Sequence, residues 1–543
     1  MTSTLERRSA TLDDQHVGDI RGALGTIRLD DTSSRRGRSA QLKTLLAIIG
    51  PGLIVMVGDN DAGAFATYGQ AGQNYGTRLL WTLLLLVPVL YVNQEMVLRL
   101  GAVTGVGHAR LILERFGKFW GAFSVIDLFL LNALTLITEF IGITLAAGYL
   151  GLPKMAAVPL AAVVIIGAAF TGSFRRFERM AVALCGGTLL LIPIYFLVHP
   201  AAAQMAHGFA VPATPGGSGQ MATVMLLIIG IVGTTVAPWQ LFFQQSYVID
   251  KRITPRFIRY EKVDLWIGIV VVVLGAGAIM GFTAAAFAGH AGAGHFTDVA
   301  GIARGLQAHA GRVAGVLFAI ALLDASIIGA FAVSLSTAYA IGDVFGLKHS
   351  LHRGVKGAKG FYAIYGGLVL LAAAVVLIPG SPLGLLTEGV QALAGVLLPS
   401  AAVYLLLLCN DREVLGPWVN GRKTNVFTGA VVSLLVALSV ILTASVLFPG
   451  ITAGQILAIL ACCCGGAVVL GAGWLVSERL RPGAVTVPVD RAGRENWRMP
   501  QLALLTRPPV PIGRKAGMTI LRSYLAVATV LVIVKIVELA IGH

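Results

Sequence analysis

Residues 57–65 read VGDNDAGAF and place two carboxylates and an amide inside an otherwise apolar stretch. Asp59, Asn60 and Asp61 are consecutive and follow Pro51 closely, and Gly58 and Gly63 flank them. Proline and glycine weaken a helix, and a charged side chain at mid-bilayer costs about 2.5–3.5 kcal/mol on insertion scales. The stretch therefore predicts a broken helix whose polar groups have a role inside a membrane.

The composition is that of a membrane-embedded chain. Of the 543 residues, 56% are hydrophobic and 12% are charged, whereas about a quarter of a soluble domain is charged. The net charge of +15 lies in short loops and tails, so it indicates membrane topology rather than nucleic-acid binding. Five cysteines, three of them adjacent at 462–464, show no metal-ligand or disulfide spacing.

Thirteen apolar runs have about the 20 residues that a spanning helix needs. They cover 44–68, 79–99, 119–149, 154–172, 180–198, 222–246, 264–289, 313–344, 360–380, 383–408, 426–448, 454–477 and 517–541. If the N-terminus is cytoplasmic, Lys and Arg concentrate in the inside loops, as the positive-inside rule requires. We expect a multi-pass cell-membrane protein without a cleaved signal peptide, its C-terminus outside.

This order of segments defines the predicted domains. They are a basic, disordered cytoplasmic tail at 1–43, a core of ten spans at 44–410, two spans at 411–478, a basic cytoplasmic loop at 479–516 and a last span at 517–543.

The sixth span, like the first, contains helix breakers. Its sequence, IIGIVGTTVAPWQLFFQQS at 228–246, includes Gly233 and Pro238. Unpaired backbone groups are tolerated at membrane depth only where they line a cavity, and breaks at matching positions of two halves indicate an inverted-repeat transporter with a midplane site. The predicted fold is all-α, with spans 1–5 and 6–10 as repeats. A pair of proline kinks without a ligand is the alternative.

The carboxylates of the first span are the main site candidates. Two carboxylates this close repel in a dry site, so a cation or a proton must accompany them, and their hard oxygens suit hard cations. We expect Asp61 to be a cation ligand and Asp59 to be a second ligand or an ion-attracting vestibule residue. The alternative is an aspartate that caps the second half of the broken helix.

Three more polar side chains lie within predicted spans. Gln391 of span ten could reach the midplane site, whereas Glu139 of span three and Asp324 of span eight are candidates for gating or coupling. The alternative for Glu139 and Asp324 is a protonated carboxyl in a helix–helix hydrogen bond. We find none of the ten histidines deep in a span.

Several spaced motifs between residues 45 and 410 resemble the natural resistance-associated macrophage protein (NRAMP) transporters of divalent metals. They are the GPG at 50–52 with Ala62-Gly63, QEMVLRLGAVTG in span two, TEFIG in span three, GTTVAPWQLFFQQ in span six, and LFAIALLDAS and QALAGVLLP in spans eight and ten. The resemblance implies a LeuT-like fold, no enzymatic activity, and a metal ion that is substrate rather than cofactor.

The resemblance also implies a ligand set. NRAMP transporters hold the metal with an Asp, an Asn, a Met and main-chain carbonyls of both broken helices. In this sequence Asp61 occupies the position of that Asp. Ala64 occupies the position of the Asn and Ala237 that of the Met. Gly58 and Thr234 occupy the positions of the carbonyl donors.

These departures bear on the choice of ion. Without the thioether the site has oxygen ligands only, and two alanines widen it, which suits Mg²⁺ because that ion usually keeps several waters. Asp59 and Asn60, which the family pattern lacks, could bind those waters. The departures resemble an NRAMP-related magnesium transporter branch and favour Mg²⁺, with Mn²⁺ also admitted.

Other departures bear on proton coupling. Trp239 replaces the histidine that follows the family's proline, and Leu136 replaces an aspartate of span three. Histidine is the side chain best suited to a proton switch near neutral pH. We therefore expect transport without proton coupling, and Glu139, Trp239, Gln240 and Asp324 are the candidates for gating or coupling.

Three alternatives stay open at this point. The first is a proton-coupled Mn²⁺ or Fe²⁺ importer that binds its ion through Asp59 and Asn60. The second is a sodium-coupled carrier of organic solutes, against which Asp61 argues by repelling an anionic substrate. The third is a membrane enzyme, for which the sequence offers no nucleophile elbow, phosphate loop or His-rich motif. The expected partners are the ion and the lipid bilayer, and the sequence leaves the oligomeric state undetermined.

Overall fold

The computed structural model describes residues 13–213, 221–379, 383–448, 451–479 and 491–506, with isolated positions between 519 and 534. Helices dominate this part of the chain. They are α1 (Arg38–Ile48), α2 (Pro51–Val57), α3 (Ala62–Tyr75), α4 (Trp81–Thr104), α5 (His108–Phe116), α6 (Lys118–Tyr149), α7 (Lys154–Phe170), α8 (Phe174–Cys185), α9 (Leu191–Val198), α10 (Ala202–Ala210), α11 (Met221–Thr235), α12 (Pro238–Asp250), α13 (Ile258–Phe287), α14 (Val299–Ala310), α15 (Arg312–Phe345), α16 (Lys359–Leu377), α17 (Leu383–Cys409), α18 (Arg412–Leu415), α19 (Arg422–Leu447) and α20 (Ala453–Arg479).

The first and sixth spans are interrupted where the sequence predicted. Helix α2 ends at Val57 and α3 begins at Ala62, while α11 ends at Thr235 and α12 begins at Pro238. Pro238 occupies the first turn of its helix, where no intrahelical N–H is lost. A further bend of 53° separates α1 from α2, and it passes through Gly50, whose φ of +151° is a conformation that side chains rarely adopt.

Nine of the predicted spans are confirmed as helices long and apolar enough to cross a bilayer, counting only the described residues. The predicted span at 44–68 is instead divided among α1, α2 and α3, and the bent pair α1 and α2 brings the count to ten. Helix α7 is shorter than the predicted 154–172, and α17 covers the predicted 383–408. The span predicted at 517–541 lies almost entirely outside the described residues.

The two breaks lie at the centre of the bundle. Helix α13 packs along both α2 and α3, and α15 packs against α6 and α12. Large side chains fill the surroundings, and Tyr68, Phe140 and Trp239 are among those that are fully buried. Leu84, Ile126 and many other apolar side chains are exposed, as expected of a surface that faces lipid.

Residues 13–43 differ from the disordered tail that the sequence predicts. They hold a short antiparallel hairpin, Ile20–Arg21 with Thr26–Ile27, and the side chains of both isoleucines are buried. The Asp13 carboxylate pairs with Arg353 at 2.9 Å, and the Ala23 N–H donates to Glu178 at 2.5 Å. Partners from distant parts of the chain order this segment, so its own polar composition does not decide its state.

Candidate functional site

The break in the first span directs three consecutive polar side chains to three different neighbours. Asp59, Asn60 and Asp61 are all buried, with exposed fractions of 0%, 2% and 3%. Each of them makes hydrogen bonds with a different part of the bundle. The structure therefore distributes these groups around the break and does not gather them at one point.

Asp61 caps α3, as the sequence-level alternative proposed. Its carboxylate accepts a hydrogen bond from the Ala64 N–H at 2.9 Å, an arrangement that satisfies a free donor of the first turn. The positive end of the helix dipole favours a negative charge at this position. Capping engages one carboxylate oxygen, so it does not by itself rule out a metal at the other.

Glu139 of α6 meets Asp61 at the start of α3. Its Oε2 accepts from the Ala62 N–H at 3.3 Å, and its Oε1 has no hydrogen-bond partner among the described residues. A Cβ built on Gly329 of α15 would lie 2.9 Å from Glu139 Oε2 and 3.0 Å from the Asp61 Cβ. The two carboxyl groups thus share one pocket. This pocket is open because Gly329 has no side chain.

Asp59 turns toward the sixth span. Its Oδ1 accepts a hydrogen bond from Gln240 Nε2 of α12, and its Oδ2 has no partner within the described structure. The Gln240 amide also donates to the Thr235 carbonyl at 3.3 Å and accepts from Gln94 of α4 at 3.0 Å. The Gln240 amide therefore joins the two broken helices to each other and, through Gln94, to α4.

Asn60 points to α13. Its Nδ2 donates to the Val272 carbonyl at 3.2 Å, and its Oδ1 is buried without a partner in the described part of the chain. It lines a small cavity together with Thr188 and Asp324. Asp324, which the sequence offered for gating or coupling, lies beside Asn60 on this cavity.

The break in the sixth span contributes small and polar groups. Thr235 Oγ1 is 2.7 Å from the Tyr68 hydroxyl of α3, while the Thr234 hydroxyl is buried and without a partner among the residues described. Ala237 is the N-cap of α12 and is 6% exposed. Helices α2 and α11 both end at these breaks. The free carbonyls of their last turns form the negative ends of the two helix dipoles.

Trp239 fills the space next to the break. It is 1% exposed, its ring reaches within 3.6 Å of a Cβ built on Gly58, and its carbonyl accepts from Ser336 of α15 at 2.9 Å. Gly58 therefore lies against the indole, where a side chain would meet both that ring and the last turn of α2. Gln391 lies on α17, but its side chain is outside the described residues.

The electrostatics of this centre are unusual for a membrane interior. Asp59, Asp61 and Glu139 form no ion pair with Lys or Arg among the described residues. The described part also contains no group of three or more His, Cys, Asp or Glu side chains that could hold a metal. A cation here would therefore rely on backbone carbonyls, amides, hydroxyls or waters in addition to carboxylates.

Sequence reasoning missed several polar side chains of this region. Asn93 of α4 and Gln244 of α12 are fully buried, and both ends of each amide lack partners in the described structure. The spacing of Gln240 and Gln244 by four residues puts them on one face of α12, so a search for polar stripes on the sixth span would have found them.

Comparisons with known proteins agree with this architecture. Residues 52–445 match the family model described as "Natural resistance-associated macrophage protein-like". The divalent metal cation transporter MntH of Ralstonia nicotianae is 30% identical over 403 residues, which cover 70% of this chain and 87% of that protein. The MntH of Burkholderia ambifaria is 28% identical over 428 residues, covering 74% and 90%.

A solved structure shares the fold. A point mutant of the Eremococcus coleocola manganese transporter has a TM-score of 0.63 and 20% sequence identity, and the match covers 84% of this chain and 97% of that one. The family match spans well over half of the chain, and the prediction of a LeuT-like fold is confirmed. This chain therefore belongs to the natural resistance-associated macrophage protein-like (Nramp) family, whose members are transporters and not enzymes.

Proposed function

We propose that this protein carries a divalent metal cation across the cell membrane through the centre between the two broken helices. Mg²⁺ is the preferred ion, Mn²⁺ is also admitted, and transport is not coupled to protons. The relatives that match over most of their length are named divalent metal cation transporters. That similarity supports the ion class, and the residues of the centre support the finer assignment.

One observation carries the proposal. Asp59, Asp61 and Glu139 are buried next to the break in the first span, two of them keep an unpartnered oxygen, and none pairs with Lys or Arg in the described chain. Buried carboxylates without compensation are costly. A cation that enters this centre supplies the missing charge, which makes its binding favourable.

The neighbouring groups favour a hard ion. Ala64 and Ala237 are both buried and bring no ligand atom of their own, while the Thr234 hydroxyl and the Gln240 amide offer oxygen. Met56, in the last turn of α2, packs against Gly268 of α13. Oxygen ligands suit Mg²⁺ and Mn²⁺, and the space beside two alanines suits an ion that keeps part of its water.

Trp239 and the available driving force support transport without proton coupling. An indole cannot carry a proton at this position of α12. A membrane potential of 100 mV supplies about 2.3 kcal/mol per charge, hence roughly 4.6 kcal/mol for a divalent cation. That energy drives inward movement without a second ion.

The other candidate is a proton-coupled Mn²⁺ or Fe²⁺ importer, and the shared pocket of Asp61 and Glu139 favours it. Two carboxyl groups in contact through the start of α3 can hold one proton between them. A proton released when the metal binds would then accompany it across the membrane.

We also infer that the N-terminus is cytoplasmic. The ordered segment 13–43 contacts four arginines from three parts of the chain, namely Arg175 and Arg179 of α8, Arg252 and Arg353. These arginines share one end of the bundle with the N-terminal segment, and the positive-inside rule assigns such an end to the cytoplasm.

The test is uptake into proteoliposomes that contain a magnesium dye and a pH dye. We expect Mg²⁺ entry at negative internal potential without acidification, and its loss in Asp61→Ala. Asp127→Asn is the matched control, because Asp127 is a partly buried carboxyl of α6 that lies twelve residues before Glu139 on the same helix. Mn²⁺ entry with acidification, and no Mg²⁺ signal, would instead establish the proton-coupled importer.

A further inference from the structure

A small cavity beside the first break brings together three oxygen-bearing side chains from separate elements. Asn60 comes from the break, Thr188 from the short 3₁₀ turn at 186–190, and Asp324 from α15. The other six lining side chains are apolar. Asp59 and Asp61 do not line it, so it is distinct from the pocket that Asp61 shares with Glu139.

The side-chain carbonyl of Asn60 lacks a hydrogen-bond partner in the described structure. Nδ2 donates to the Val272 carbonyl at 3.2 Å, and exchange of the two amide atoms would place oxygen against oxygen there. This contact fixes the orientation of the amide and leaves Oδ1 without a partner in a side chain that is 2% exposed. A buried carbonyl of this kind requires a donor or a cation.

Asp324 supplies the charge. Its Oδ2 lies 1.9 Å from the position that a Cβ on Gly187 would take, so the carboxylate rests directly on the 3₁₀ turn. A Cβ built on Gly275 would lie 2.5 Å from Asn60 Nδ2 and 3.5 Å from the Thr188 methyl group. Asn60 and Thr188 are thus neighbours across Gly275, and Asp324 lies against Gly187, the residue before Thr188.

The size of the cavity limits what it can hold. About 10 Å³ is open to the centre of a water-sized sphere, which is about what one water needs. A carboxylate, an amide carbonyl and a hydroxyl are the ligands that hard cations prefer. The space admits one such ion and excludes an organic solute.

We propose that Asn60, Thr188 and Asp324 form a second subsite for the transported divalent cation. The inference rests on the proposed function, because it takes the same ion for both sites. Asn60 lies between Asp59 and Asp61 in sequence, so the subsite adjoins the same break in the first span that carries the carboxylates. Asp324 then replaces the ligands that the ion leaves behind.

The test counts Mn²⁺ ions bound to the purified full-length protein by electron paramagnetic resonance of the free ion. We expect two ions per chain in the wild type and one in Asp324→Asn and in Thr188→Val. Asp127→Asn is the matched control for loss of a partly buried carboxyl, and it should retain both. In proteoliposomes we expect Asp324→Asn to raise the KM for Mg²⁺ about tenfold, as loss of one charged ligand would.

The outcomes separate the two proposals. One ion in the wild type, or two ions still bound by both Asp324→Asn and Thr188→Val, would overturn the second subsite. Displacement of the second ion by Na⁺ at equal concentration would refute its assignment to the divalent substrate. Unchanged uptake and binding in Asp61→Ala would instead overturn the proposed function itself.

Discussion

The pocket that Asp61 shares with Glu139 can be tested by adding one methyl group at Gly329. In Gly329→Ala the new Cβ would lie 2.9 Å from the Glu139 carboxyl carbon and 3.0 Å from the Asp61 Cβ. Both distances are shorter than ordinary carbon contacts, and the Asp61 atom belongs to the stem of its side chain. The methyl group therefore separates the two carboxyl groups or moves α15 away from them.

The size of the effect follows from this geometry. Overpacking of a well-packed interior costs typically about 1–3 kcal/mol. If this energy is lost entirely from cation binding, it corresponds to a roughly five- to 150-fold rise in the KM for Mg²⁺. Gly230→Ala is the matched control, because it adds the same methyl group to the sixth span with its nearest neighbour, the Thr67 methyl, at 3.7 Å.

The assay is initial Mg²⁺ uptake in proteoliposomes over a range of concentrations, with thermal unfolding measured on the same preparations. We expect Gly329→Ala to raise KM and Gly230→Ala to leave it unchanged. If Gly329→Ala folds normally and transports with the KM of the wild type, the contact between Asp61 and Glu139 has no part in cation binding. A lowered melting temperature with unchanged KM would assign the contact to stability alone.

Three further predictions concern other contacts of the structure. Ala237→Met should raise the preference for Mn²⁺ over Mg²⁺ in competition uptake, because it adds a thioether at the break; an unchanged ratio would place this residue away from the ion. Gln240→Leu should lower uptake by removing the amide that donates to Asp59, and equal loss in Gln244→Leu would count against that specific contact. Although burial opposes it, the charge and hydrogen bond of Asp343 raise the pKa of His349 to about 9. The pair therefore contributes about 3 kcal/mol to the free energy of unfolding. The whole contribution is present below pH 6.5, and it is lost as the pH rises through about 9. In His349→Ala the melting temperature should lose that part of its pH dependence, whereas an unaltered profile would refute the assignment.

The ordered N-terminal segment shows what a local pattern cannot predict. Residues 13–43 are polar and arginine-rich, which is typical of a disordered tail. Their order depends on Arg353 and His349, which lie more than 300 positions away in sequence and hold Asp13 from two sides. No local feature of the segment encodes those partners.

The carboxylates of the first span mark a similar limit. The acidic residues and the breakers around them predicted a break, and the structure confirms its position between Val57 and Ala62. The sequence predicted Asp61 as a cation ligand, Asp59 as a second ligand or a vestibule residue, and Asn60 as a group that could bind the ion's waters. The structure turns the three side chains toward different parts of the bundle. The directions of three adjacent side chains at a break depend on the neighbouring helices, which a single-chain pattern does not describe.

The sequence by itself determined the membrane class, the all-α fold with its two broken spans, and the placement of acidic groups at the first break. These properties depend on apolar run length, on proline and glycine, and on the cost of burying charge, all of which are local. Only the tertiary structure decided that Asp61 caps α3 beside Glu139, that Asp59 joins the sixth span, and that Asp324 lies with Asn60 on a separate cavity. Except for the Asp61 cap itself, which is local, those contacts join helices far apart in sequence, and packing alone brings them together.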